Sequence, residues 1–241
     1  MGIKYDNLTT SEALKKLEEF LDNEKKTNVF FLNIDCLYHA RKDKEYSEIL
    51  RKKTGLVLGD GLGLKILSFF YGEKMKENLN GTDFSPKLMC TAAQKGKSVF
   101  LLGGQDGVAE NAAKKFASTT KVQIAGTNNG YFGNVNQVID RINRSEADIL
   151  FVGFGVPKQE KWIVENRKML NPTLCIGVGG LFDYNSGRIK RAPKFIRTMH
   201  MEWIWRILME PRRLFTRYFV HDIPLLFYFI LNKRGLKKMK S

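Results

Sequence analysis

A glycine-flanked aspartate, Gly59-Asp60-Gly61, stands between a strand-like run and a helix-like run. A carboxylate placed there can take the proton of a hydroxyl as its oxygen attacks an electrophilic carbon. An aspartate between glycines also makes an ordinary turn or helix cap, and the tripeptide alone favours that plainer use. Asn80-Gly81-Thr82-Asp83-Phe84 is a polar turn ahead of a second helix. Asp83 can hold a substrate hydroxyl there or simply serve the helix start.

Three glycine-rich strings follow. Gly103-Gly104-Gln105-Asp106-Gly107 can turn backbone N–H groups toward a diphosphate at a helix N-terminus, although a tight turn explains it equally well. Its glycine spacing is not the dinucleotide fingerprint, and Thr127 and Asn128 stand where that fingerprint wants an acid at the end of the next strand. A nucleotide-dependent oxidoreductase is therefore disfavoured. The string from Gly153 to Trp162 is more specific. Its glycines allow close backbone approach, Pro157 opens a helix, and Lys158 and Gln159 occupy the first turn, where they can meet phosphate or sugar oxygens. In Gly177 to Tyr184, Gly179 and Gly180 give a pliable loop. Asp183 can accept from a base or ribose there, or be a loop aspartate.

No Asp-x-Asp pair occurs anywhere, and His39, His200 and His221 lack ligand spacing, so neither a metal nor a cofactor is expected. A departing diphosphate would then need arginines, lysines and helix N-termini.

These residues need a scaffold that gathers them. The first ~190 residues alternate strand-like and helix-like segments with short connections. Strands are expected at 28–32, 55–58, 98–102, 122–125, 149–152 and 174–178. Helices are expected from the Thr9–Glu12 capping box onward and at 42–53, 61–70, 108–117, 134–144 and 157–167, with Ser85-Pro86 opening one to Gln94. Strand, glycine turn and helix in repetition is the pattern of an α/β fold, a mainly parallel sheet with helices on both faces. Ligands of such folds bind beyond the carboxyl ends of the strands.

Past Arg191 no further strand is expected, which divides the chain into an α/β domain at 1–191 and a helical appendage at 192–241. The formal charge is +15, and its distribution is uneven. Residues 188–241 carry 14 Lys or Arg against 3 Asp or Glu, while residues 1–187 carry 26 against 22. Aromatics interleave with Arg206, Arg212, Arg213 and Arg217, and Lys233, Arg234, Lys237, Lys238 and Lys240 close the chain. That combination suits an anionic membrane surface, or else a helical lid with a basic end. The apolar run Ile223 to Leu231 is far short of the ~20 residues of a spanning helix. A nucleic-acid module is disfavoured because the core is nearly charge-balanced. Three distant cysteines, Cys36, Cys90 and Cys175, fit a reducing compartment, and the first ten residues show no signal-peptide pattern.

Taken together, Asp60-Gly61, Asn80 to Asp83, Gly153 to Trp162, Gly177 to Asp183 and Glu202 to Arg217, with Glu210-Pro211-Arg212-Arg213, resemble the WecG/TagA/CpsF family of bacterial glycosyltransferases. The resemblance implies a Rossmann-like sheet and an inverting, metal-independent transfer of a sugar, such as N-acetylmannosamine, from a UDP-sugar to a polyprenyl-diphosphate-linked acceptor. It implies an appendage that closes the site at the inner face of the plasma membrane, and it leaves a homo-oligomer open. It also implies roles: Asp60 as base, Asn33 as the strand-end asparagine, Tyr131, Gln159 and Asp183 as sugar or nucleotide contacts, and Arg206, Arg213 and Arg217 as the grip on diphosphate. Two positions depart from the teichoic-acid members, which carry Thr at position 31 and Arg at position 78, where this chain has Phe31 and Asn78. The departures point to a capsule or O-antigen type of transferase.

Overall fold

The computed structural model describes residues 2–52, 55–193, 196, 202–209 and 211–232, and the side chains of all of these except 202, 203, 206, 212 and 213. In chain order the elements are α1 Thr10–Asp22, β1 Thr27–Leu32, α2 Ile34–Lys42, α3 Lys44–Arg51, β2 Gly55–Gly59, α4 Leu62–Phe70, α5 Gly81–Gln94, β3 Ser98–Gly103, α6 Val108–Thr120 and β4 Gln123–Asn128. They continue with α7 Val135–Arg144, β5 Ile149–Gly153, α8 Lys158–Asn166, β6 Leu174–Gly177, α9 Leu181–Asn185, α10 Glu202–Met209 and α11 Pro211–Phe215. A π-helical stretch, Thr216–Asp222, leads into α12, Ile223–Leu231.

The six strands form one sheet in the order β2-β1-β6-β5-β3-β4, and every pair is parallel. Alternate strand residues feed opposite cores, as the two-residue period of a strand requires. Phe30, Leu32, Val57, Phe100, Leu102, Leu150 and Val152 pack with α2, α3, α4, α7 and α8 on one face. Val29, Phe31, Leu56, Leu58, Val99, Leu101, Ile149 and Phe151 pack with α1, α5, α6 and α9 on the other. The expected mainly parallel α/β sheet, covered on both faces, is what the structure holds.

Two element boundaries differ from the sequence expectation. The helix expected at 42–53 is α3, which starts at Lys44 because Asp43 is extended (φ −120°, ψ 106°) and its carboxylate caps it by accepting from the Tyr46 amide at 3.0 Å, while α2 just before it was not expected. α5 starts at Gly81, well before Ser85-Pro86. Asn80 is its cap, its side-chain oxygen accepting from the Asp83 amide at 2.9 Å. Pro86 therefore lies inside the helix, where it removes one intrahelical bond.

Beyond β6 the described residues are helical wherever they are regular. Leu225 and Phe229 of α12 are buried in the same layer as Leu64 and Leu67 of α4. The Tyr71 hydroxyl, just past α4, donates to the Phe229 carbonyl at 2.7 Å. The last helix is thus tied to the sheet domain by both apolar and polar contacts. The basic run Lys233, Arg234, Lys237, Lys238 and Lys240 lies outside the described residues.

The cap assignment is checkable. Asn80→Ala should cost about 1 kcal/mol, read as a lower urea midpoint with an unchanged slope. A variant as stable as the parent would move the helix start back to Ser85.

Candidate active site

The carboxyl ends of all six strands open onto one cleft of about 1930 Å³. Of the residues singled out from the sequence, Asn33, Asp60, Asp83, Tyr131, Lys158, Gln159, Gly179, Gly180, Asp183 and Arg217 line it. Gly104 lines it where Gly103 was expected. Gly103 (φ +144°) serves strand packing instead: a Cβ there would stand 2.6 Å from the Gly153 carbonyl oxygen. Arg206 and Arg213 belong to α10 and α11, but their side chains lie outside the described ones.

Parallel pairing sets the centre of the cleft. Leu32 is in register with Gly59, so Asn33 and Asp60 are the first residues beyond neighbouring strands. The Asp60 amide donates to the Leu32 carbonyl at 2.8 Å, which continues the ladder by one step. Asn33 caps α2 by accepting from the Cys36 amide at 3.0 Å. Its oxygen is committed to the fold, and its NH2 is the end left to serve a ligand. Gly61 follows Asp60 with φ +92°, a conformation that suits glycine. Its amide donates to the Asn78 side-chain oxygen at 2.6 Å. Asn78 therefore pins the backbone next to Asp60. Phe31, the other departure from the teichoic-acid pattern, sits close by. Its ring meets Phe84 edge-on at 6.0 Å and lies against Gly81. Both departures thus fall on one corner of the cleft.

The glycine-rich strings meet opposite. Gln159 is almost wholly buried, and both ends of its amide have protein partners. Its oxygen accepts from the Gly179 amide at 2.8 Å, and its nitrogen donates to Glu160 Oε1 at 2.8 Å. Gln159 is thus held rigidly and fixes the Gly179-Gly180 loop. Lys158 projects from the first turn of α8 into the cleft, whereas Lys161 is occupied by Asp43 at 2.8 Å and Glu45 at 2.5 Å. Asp183 pairs with Arg188 at 2.9 Å, and Asp83 with Arg191 at 2.7 Å, so the segment after β6 ties two cleft carboxylates. Arg217 pairs with Asp35 at 3.3 Å and Asp222 at 3.6 Å, which docks the C-terminal helices on α2. Burial opposes its charge, but the two carboxylates hold the guanidinium above its ordinary value. The same burial pushes Asp222 up to about 7, against the pull of Arg217.

Two features escape the sequence reading. Phe132, Phe154 and Trp162 form an aromatic corner in the cleft wall, with ring centres 5.6 to 6.5 Å apart, beside Gly130 and Gly153. Flat apolar faces of this kind suit a nucleobase or a sugar ring. Glu160 is fully buried beneath the cleft, and burial pushes it from 4.5 to about 7, although the bond from Gln159 favours its anion. An acid next to a glutamine in a helix carries no sequence signal of burial. Phe154 did carry one, as a ring directly after the strand-end Gly153. Among the described residues, no three His, Cys, Asp or Glu side chains are grouped to hold a metal ion.

Comparison with known proteins places this architecture. The model of the glycosyl transferase WecG/TagA/CpsF family matches residues 1–239. The chain belongs to this family. It is a hexosyltransferase, as the resemblance in its motifs implied. Three relatives bear the name N-acetylglucosaminyldiphosphoundecaprenol N-acetyl-beta-D-mannosaminyltransferase. The protein from Bacillus subtilis (strain 168) is 30% identical over 88% of this chain and 83% of its own. That from Bacillus spizizenii is 32% identical over 80% and 76%. That from Staphylococcus aureus (strain MW2) is 29% identical over 100% and 94%.

Two outcomes test the site. Asn78→Ala frees the Gly61 amide and loosens Asp60, so kcat should fall about tenfold or more while donor affinity holds. An unchanged kcat would show that Asp60 needs no such support. Glu160→Gln should change how stability depends on pH. Between 4.5 and about 7 the folded protein keeps a proton that the unfolded chain loses, so Glu160 makes stability fall as pH rises through that window. The variant should out-melt the parent above that window and lose the advantage toward its lower end, as read by thermal unfolding at several pH values. A pH-independent difference would contradict the burial argument.

Proposed function

We propose that this chain moves a sugar, N-acetylmannosamine or a related hexose or hexosamine, from a UDP-sugar to a polyprenyl-diphosphate-linked acceptor. The transfer inverts the anomeric centre, uses no metal, and feeds a cell-surface polysaccharide. The observation that carries the reading is the carboxylate of Asp60 at the lip of the cleft, one strand away from Asn33, with its following backbone pinned by Asn78. The names of the relatives, which describe transfer to a diphosphoundecaprenol-linked sugar, support the choice of acceptor.

In this scheme Asp60 accepts the proton of the acceptor hydroxyl as its oxygen bonds to the anomeric carbon. The bond from that carbon to UDP breaks in the same displacement, and UDP leaves with the bonding pair. Lys158 and Arg188, both lining the cleft, are placed to offset the growing charge. We assign the same task to Arg206 and Arg213 of the C-terminal helices. Asn33 and Asp183 orient hydroxyls, and Tyr131 covers the bound nucleotide sugar. Residues 192–241 act as a lid that gathers at the inner leaflet through their basic residues. Among the described residues no helix is long and apolar enough to cross a membrane, which suits a peripheral attachment.

Replacing Asp60 with Asn keeps the shape and removes the base. Turnover should drop about a thousandfold while UDP-sugar still binds. Activity is read as product mass with lipid-linked acceptor, and binding by calorimetry. Parental turnover in this variant would place the base elsewhere.

A further inference from the structure

The outer face of α4 is apolar where the fold has no use for it. Leu64, Leu67 and Ser68 face inward. Leu62, Ile66, Phe69 and Phe70 fall at i, i+4, i+7 and i+8 and share the opposite side. Phe69 is 75% exposed, and Leu62 and Phe70 also stand open to solvent. The stripe begins inside the cleft: Leu62 and Ile66 are part of its wall, and Leu62 is two residues past Asp60.

α12 repeats the arrangement. Ile223 and Leu226 line the same cleft, and Phe227 and Leu231 continue outward at 60% and 80% exposure. The C-terminal ends of the two helices are joined by the Tyr71 to Phe229 bond, and their N-terminal residues both meet the cleft. They therefore leave the cleft side by side in the same direction, with two apolar stripes about 12 Å long. Lys65 is the one charged residue in Leu62–Phe70, and Ile223–Leu231 has none. Lys65 sits in the cleft mouth, one turn beyond Asp60.

We propose that these two stripes form the track on which the polyprenyl chain of the acceptor lies. This rests on the functional reading above. The order of chemistry along α4 matches the order along such a molecule: a carboxylate for the sugar hydroxyl, then a lysine for the diphosphate, then apolar surface for the chain. A patch serving only to rest on a bilayer would have no reason to start within the cleft wall, two residues from the base. The occupant is thus the acceptor's own chain rather than bulk lipid.

The test uses the full chain and a double variant, Phe69→Ser with Phe70→Ser, on surface positions that leave the core intact. Binding of polyprenyl diphosphates of long and short chain is measured in detergent, alongside transfer to the corresponding sugar-linked acceptors and sedimentation with vesicles of mixed anionic lipid. The parent should favour the long chain, and the variant should lose about tenfold in affinity for it, with short-chain binding and donor binding unchanged. Equal losses for both chain lengths, or a loss confined to vesicle sedimentation, would overturn the track. Transfer that ignores chain length would sink the track and leave the functional reading standing. Chain-length-dependent binding without transfer to any acceptor would do the reverse.

Discussion

Strands that run parallel in one sheet must end on the same edge, and in this protein that constraint creates the site. Six carboxyl ends deliver six loops to one cleft, and neighbouring strands in register deliver adjacent residues. Asn33 and Asp60 are 27 positions apart in the chain, yet each is the first residue past its strand, and those strands pair. No loop has to search for its partner. The helices that follow the strands then start at the cleft, so their caps and first turns face it. Asn33 serves as a cap and as a cleft residue at once because the two demands fall at the same place.

Bringing so many backbone ends together buries polar groups, and the structure meets that cost in two different ways. Under β6, the Gln159 amide joins the Gly179 N–H to the Glu160 carboxyl, a chain of bonds that holds a glycine loop in one shape. Glycine gives the loop room for a ligand but no stiffness of its own, so the stiffness must come from the neighbouring glutamine. Glu160 can take this position because burial favours its neutral form, which spares the core a full charge. At the C-terminal joint the answer is electrostatic. Arg217 pairs with both Asp35 and Asp222, and losing it would leave the half-buried Asp35 and the buried Asp222 without that guanidinium. The first cluster is built for a fixed shape, and the second ties a separate segment to the body.

The periodic parts of this fold were legible in the sequence. Buried strands such as Ile149–Gly153 read as apolar runs ending in glycine, and the Thr9–Glu12 box marked a helix start that the structure shows bond for bond. The errors came where a side chain overrode periodicity. Asp43 set the start of the helix expected at 42–53 to Lys44 by capping it, and Asn80 captured the start of α5 from the more conspicuous Ser85-Pro86. α2 was missed because its nine residues are set by the Asn33 cap more than by any pattern. Among site residues, those following a strand could be placed on the cleft edge from their order alone. What each does there could not. Gln159, expected as a substrate contact, lines the cleft, and what the sequence did not show is that it also braces the Gly179 loop. Arg217, expected to grip diphosphate, lines the cleft and also pairs with two carboxylates that the sequence did not point to.

The division of charge now has a structural meaning. Most of the positive surplus lies beyond residue 187, yet the last described helix, α12, has no charge at all and buries Leu225 and Phe229 in the sheet's own core. Basic residues and buried apolar residues thus fall on different stretches of one segment. Charges act over about a Debye length, roughly 8 to 10 Å, and do not by themselves fix an orientation. The apolar helix acts only on contact, and its position beside α4 is fixed by packing and by the Tyr71 bond. With α12 locked next to the helix that follows Asp60, the exposed apolar residues of both helices stand at the mouth of the cleft, and that placement comes from the core rather than from the tail.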